Sequence, residues 1–248
     1  MISLQIKFVM SRWFVPGVLA LILKASLSTA LASVPLVQGY KLDLGSIPLI
    51  ENLRADLNSA QSLPLTMALK FVEFFREDGK PILSKDSVKE LVARINPYFQ
   101  SCRIRFQMEA YRALDSASYG LSFKVQSSED MKVFRKPFDD SRYLVVINTQ
   151  NWDHEKMGSA NAWTAMPGES PSGVVMEAPV ASYPGLVAHE LGHYLSLNHV
   201  SNVKNLMNPI IYGTSTFFTA EQCLQMRKTA LEVRPSAIRE GGSNGPAV

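Results

Sequence analysis

Three of the four histidines in this 248-residue chain fall within one short stretch: His189, His193 four residues later, and His199 six beyond that. On a helix, residues four apart project from the same face about one turn apart, so His189 and His193 can grip one metal ion from one side. Six further residues let the helix stop and the chain turn back, so that His199 closes a three-nitrogen set with one coordination position open. Three neutral imidazoles leave the full charge of a Zn²⁺ ion in place, and water in the open position then has a pKa of about 7 rather than nearly 16. Glu190 follows His189 directly and is angled toward the open side, where it can take a proton from that water and pass it to a leaving amine. The chemistry on offer is hydrolysis of an amide bond. A helix can carry two histidines and a glutamate for no chemical reason, and the third histidine at a fixed offset is what argues against that reading.

The stretch HELGHYLSLNH, followed by NLMNP, resembles the metzincin zinc peptidases, whose pattern is HExxHxxGxxH and then a methionine-containing turn. Within that clan the LMxP form of the turn is closest to matrixins and their bacterial relatives. The resemblance implies that His189, His193 and His199 bind one zinc ion and that Glu190 is the general base. It also implies that Met207 forms an apolar floor beneath the metal, and that Pro209, Ile210 and Ile211 line a wall of the pocket for the residue after the scissile bond. With ten methionines in the chain, Met207 gains weight only from its place eight residues after His199. The implied fold is α+β: a metzincin-like zincin with a twisted, mostly parallel five-stranded sheet, an antiparallel edge strand, two long helices, the Met-turn and a C-terminal helix.

One departure matters. The family's glycine, where the helix ends and the chain turns sharply, is Ser196 here. A left-handed conformation costs a non-glycine residue roughly 1 to 2 kcal/mol, so either the serine accepts that strain or the break shifts toward Asn198 and moves His199. Val200, after the third histidine, matches none of the best-known subfamilies.

The elements that must position this stretch follow from periodicity. Leu65, Met67, Leu69 and Phe71 alternate with Thr66, Ala68 and Lys70, a half-buried strand, which Glu77-Asp78-Gly79 turns. Ser84 or Ser87 then caps a helix with Val88, Leu91, Val92 and Ile95 on one stripe, ended by Asn96-Pro97. Cys102 to Met108 alternates again, and strand, helix and strand imply a parallel pair. The polar connection 115–142 leaves room for a strand at Leu121–Val125. Tyr143 to Asn148 is apolar throughout, as in a central strand. Gly158–Met166 and Gly173–Glu177 read as two further strands. In the family the first would be the edge strand above the cleft, which binds an extended substrate by main-chain hydrogen bonds; Ala160, Asn161, Ala162, Trp163 and Thr164 are the candidates. Ser182 can cap the zinc helix and Pro184 suits its first turn. Thr219 opens a last helix running to about Val233, with Cys223, Met226 and Leu231 inward.

The first residues carry Lys7 and Arg12, then an apolar run and small residues ending at Ala32, the order of an export signal cleaved near Ala32; a retained membrane anchor is not expected. Residues 33–63 are a wrapping segment or a short pro-region, 64–234 the catalytic domain, and 235–248 a frayed polar tail. Without residues 1–32 the chain has 22 residues of each sign, which gives no reason to expect nucleic acid as a partner. The expected partner is a protein or peptide substrate, met by a monomer. Cys102 and Cys223 could form one disulfide after export, or remain two buried thiols. The family's cysteine-switch propeptide is not evident. The acidic clusters at 127–130 and 139–140 raise Ca²⁺ as a further ion, but no ligand spacing supports it. His154 reads as a surface histidine. Two rival readings remain open: Glu221 as third ligand in place of His199, and a secreted module that binds zinc or peptide without hydrolysing it.

Overall fold

The computed structural model describes residues 63–121 and 125–239. The export signal, the segment 33–62 and the middle of the strand considered at Leu121–Val125 lie outside the described residues. Strand β1 (Leu65–Phe74) is the one around which the sheet is built. Met67, Leu69 and Phe71 enter one core cluster, and Val72 and Phe74 enter another on the opposite face. The expected half-buried strand is therefore corrected to a longer one buried on both faces. Its partly exposed Lys70 reaches out beside the Asp140 carboxylate, 3.9 Å away, keeping its charge toward water.

The main sheet runs β2 (Ile104–Leu114), β1, β3 (Leu144–Thr149), β5 (Val174–Glu177), β4 (Ala162–Thr164), parallel except for β4, which is antiparallel to β5 at the edge. A two-residue strand β6 (Ile238–Arg239) pairs antiparallel with Thr66 and Met67. Residues 235–239, expected to fray, thus fill the edge of β1 that β3 leaves uncovered. The fold is the expected α+β arrangement, with a mostly parallel sheet and the antiparallel edge strand β4, but β6 makes six strands of the expected five.

Helix α1 (Lys85–Phe99) is capped by Ser84, whose hydroxyl accepts from the Ser87 amide, and buries Val88, Leu91, Val92, Ile95 and Phe99. It does not stop at Asn96-Pro97. Asn96 Nδ2 donates to the Phe106 carbonyl and Asn96 Oδ1 accepts the Phe106 amide, while Phe99 stacks edge-on to Phe106 at 4.8 Å. These contacts with β2 outweigh the local preference against helix before proline. Cys102 lies in the 3₁₀ turn that follows, not in the strand.

On the other face, helix α2 (Ser128–Arg135) occupies the long polar connection. Its Asp130 is consumed as a cap, accepting from the Gln126 and Ser127 amides. Asp140 pairs with Arg142, and Asp139 accepts from the Ser172 hydroxyl. A single helical turn α3 (His154–Met157) is followed by a turn at 158–159, and the strand expected from Gly158 is reduced to the three residues of β4.

Candidate metal centre

Helix α4 (Pro184–Tyr194) brings His189 and His193 to the site. Its first position is proline, as expected, but the residue before it is Tyr183 with no side-chain cap; Ser182 does not cap the helix. Val187, Ala188, Leu191 and Tyr194 are fully buried against the sheet and α1. Tyr194 reaches through the layer, its hydroxyl accepting the Val145 amide of β3 at 3.5 Å. The helix ends in a Schellman turn: Leu197 N–H donates to Gly192 O and Ser196 N–H to His193 O. Ser196 occupies the left-handed position with φ 74°. The serine accepts the conformation, and the break does not shift to Asn198.

The chain then returns so that the three Nε2 atoms form a triangle: His189 to His193 3.0 Å, His193 to His199 3.0 Å, His189 to His199 3.2 Å. His189 Nδ1 lies 2.7 Å from Leu206 O, and His193 Nδ1 lies 2.7 Å from Leu197 O. A carbonyl can only accept, so both Nδ1 atoms carry the proton and both Nε2 atoms present lone pairs toward the common centre. Burial reinforces this, pushing the His189 pKa down to about 4 and that of His193 down as well. Neutral acceptors facing one another at 3 Å call for a cation between them. The donor set fits Zn²⁺, with the carbonyl-oriented imidazoles common at such ions. Among the described residues this is the one grouping of His, Cys, Asp or Glu able to hold a metal. Glu221, the rival third ligand, is not in it; it sits exposed in the first turn of helix α5 (Ala220–Val233).

Met207 is fully buried beneath the trio's helix. A Cβ on Gly192 would stand 2.5 Å from Met207 Sδ, so the glycine inside HELGH is what lets the turn approach α4. The turn is tied on every side: Met207 N–H to Asn205 Oδ1, Val200 N–H to Met207 O, and Asn208 Nδ2 to Val200 O. Asn205 Nδ2 donates to Gln222 Oε1, which also accepts the Thr219 amide in the capping box of α5. The unusual Val200 thus serves through its backbone.

Glu190 is 5% exposed, and burial pushes its pKa up to about 7. Its Oε2 accepts a short hydrogen bond from the Thr164 hydroxyl of β4. Thr164 is among the residues expected to meet substrate through the backbone, and its side chain in addition holds the Glu190 carboxylate. In β4 the Asn161 carbonyl accepts from Glu177 N–H, and Ala165 N–H donates to the Gly173 carbonyl. Alternation then turns the main-chain groups of Ala162 and Thr164 outward at the sheet edge. Asn161 is turned inward, its Nδ2 donating to Glu177 Oε2, and Ala160 packs on the second core cluster. Trp163 is 43% exposed. Pro209 and Ile210 are exposed just past the Met207 turn, and Ile211 Cγ2 lies against the start of α4 at Gly185.

His154 is more than a surface histidine. Its Nε2 lies 3.1 Å from both oxygens of the buried Glu177, and its Nδ1 2.9 Å from Gly158 O. These contacts, the Gly158 carbonyl first, push its pKa up. Cys102 and Cys223 are joined as a disulfide. Of the residues that sequence reasoning missed, only Gly192 left a signal, as a glycine inside a helix that otherwise prefers larger residues.

Residues 85–200 match the family model described as Metallo-peptidase family M12B Reprolysin-like, a span that contains Glu190 and all three converging histidines. The crystal structure of metalloproteinase-II from Bacteroides fragilis is similar to this chain at 16% identity, covering 68% of this chain and 54% of that one, with a TM-score of 0.47. The chain thus spans about half the length of that protein. No helix among the described residues is long and apolar enough to cross a membrane. The family-model match and the histidine trio coincide on the same stretch, the feature on which a metallopeptidase reading would rest.

Proposed function

We propose that this chain is an exported zinc-dependent endopeptidase that hydrolyses peptide bonds in protein or peptide substrates as a monomer. The observation that carries the reading is the convergence of three Nε2 atoms within 3.2 Å, with a buried carboxylate on the next residue. His189, His193 and His199 would hold the ion, whose charge polarises the scissile carbonyl and acidifies water. Export follows from the basic, apolar and small-residue order of residues 1–32. The LMNP form of the turn favours a matrixin-like branch and the reprolysin-like match another.

The residues divide the remaining work. An extended substrate adds to the edge of β4 through the outward main-chain groups of Ala162 and Thr164, which orients its scissile bond over the trio. Trp163 and Pro209–Ile211 flank that path. Glu190 Oε2 takes the proton of the attacking water and delivers it to the leaving nitrogen, so one carboxylate serves as base and then acid. Thr164 donates to that oxygen and fixes its rotamer between the two transfers. Met207 and Gly192 keep the underside apolar and dry.

The test compares the zinc-loaded chain with Glu190→Ala on an unfolded protein substrate, with and without chelator. Loss of cleavage by at least about a hundredfold in the variant, with stoichiometric zinc retained, is expected. Equal residual cleavage by both proteins would instead favour a non-catalytic zinc- or peptide-binding module.

A further inference from the structure

The left-handed residue at the end of α4 bears a side chain, in a backbone region that glycine enters freely and other residues do not. Two contacts from α5 land on that one residue. Gln225 Nε2 donates to the Ser196 carbonyl oxygen at 2.5 Å, and the Thr229 hydroxyl donates to Ser196 Oγ at 2.9 Å. Gln225 and Thr229 are four apart, on one face of the helix. The segment they grip carries two parts of the metal centre: the Leu197 carbonyl that orients His193, and His199 itself. Helix α5 is itself anchored elsewhere. Cys223 is bonded to Cys102, and Arg227 Nη1 donates to the carbonyls of Cys102 and Arg103.

We propose that Gln225 and Thr229 are positioning residues for the metal centre. They hold Ser196 in the turn that a glycine would adopt unaided, and so fix how His193 and His199 meet the ion. This rests on the trio being a zinc site and is independent of whether a peptide is cleaved.

The experiment measures zinc dissociation constants of the full chain by chelator competition, together with the visible spectrum of the Co²⁺-loaded form. Gln225→Ala is expected to weaken zinc about tenfold, the effect typical of losing a residue behind a ligand. Gln225→Glu keeps the length but has no N–H to donate, and should weaken zinc at least as much. Ser196→Gly removes the need for the clamp, so adding Gln225→Ala in that background should change affinity less than about twofold and leave the Co²⁺ spectrum unshifted. Gln225 is exposed, so its variants should fold, which melting of the metal-free proteins verifies. An unchanged dissociation constant in Gln225→Ala, or an equal loss in both backgrounds, overturns the proposal. Zinc bound tightly without cleavage refutes the peptidase reading alone, whereas a wild-type chain that binds no zinc refutes both.

Discussion

Glu73 is the residue whose protonation should be felt by the whole fold. It is fully buried at the end of β1, accepts from Asn148 Nδ2 at 2.7 Å and from the Leu83 amide at 3.0 Å, and burial pushes its pKa up to about 8. Arg76 is the charged group that opposes this shift, and Tyr111, whose hydroxyl donates to Leu83 O, lies close by. Asn148 Oδ1 is buried without a partner. Because the folded pKa exceeds the unfolded value near 4.5, the unfolded chain holds fewer protons between the two values. Stability is therefore full below about pH 4.5 and is lost as pH rises through 8. The loss should be on the order of 3 kcal/mol between pH 5 and 9, and Glu73→Gln, which mimics the neutral form, should flatten it in urea unfolding. A second residue-scale prediction concerns the glycine inside HELGH. Gly192→Ala should destabilise by about 1 to 2 kcal/mol through its clash with Met207. In a Met207→Ala background the same change should stabilise by up to about 1 kcal/mol, since alanine favours helix. The pairing of His189 with His193 was legible because spacing on a helix is local, and the fixed offset of His199 supplied the third nitrogen. The Gly192–Met207 contact was not legible, because the fourteen residues between the two are mostly irregular chain.

At the scale of elements, helix α5 does the most that periodicity could not foretell. Its capping box at Thr219 and Gln222 was readable from the sequence. Its inward face was only partly so: Cys223 and Met226 are buried, but Leu231 is 46% exposed and Ala230 takes the inner position. Ala230 joins the core cluster through tertiary packing, which an apolar period does not single out. Helix α1 shows the same limit, since Pro97 is a local stop signal that the Asn96–Phe106 hydrogen bonds override. The Cys102–Cys223 disulfide ties α5 to the turn after α1 across 121 residues of chain. Reducing it should lower stability by about 3 to 5 kcal/mol, measured as urea unfolding with and without reductant, the double Cys→Ser variant giving the same loss without reductant. A loss below about 1 kcal/mol would show that packing and Arg227 alone hold the helix.

Across the whole molecule, the layers were easier to read than their margins. The parallel pair follows from the strand, helix, strand order and the antiparallel edge from the family resemblance, and the order β2-β1-β3-β5-β4 brings the edge strand to Glu190. The pairing of Ile238–Arg239 with β1 was hidden because two residues carry no period. The cystine joins positions on either side of β2 through the Met207 turn, with every histidine of the trio between its two sulfurs. A backbone cut anywhere in that span, for example in the exposed connection around Ser118 or at the Gly168-Glu169 tip, opens a ring without releasing either end. Nicked molecules should therefore migrate as one species on a non-reducing gel and as two after reduction, so a hydrolase that trims its own loops would keep its halves joined.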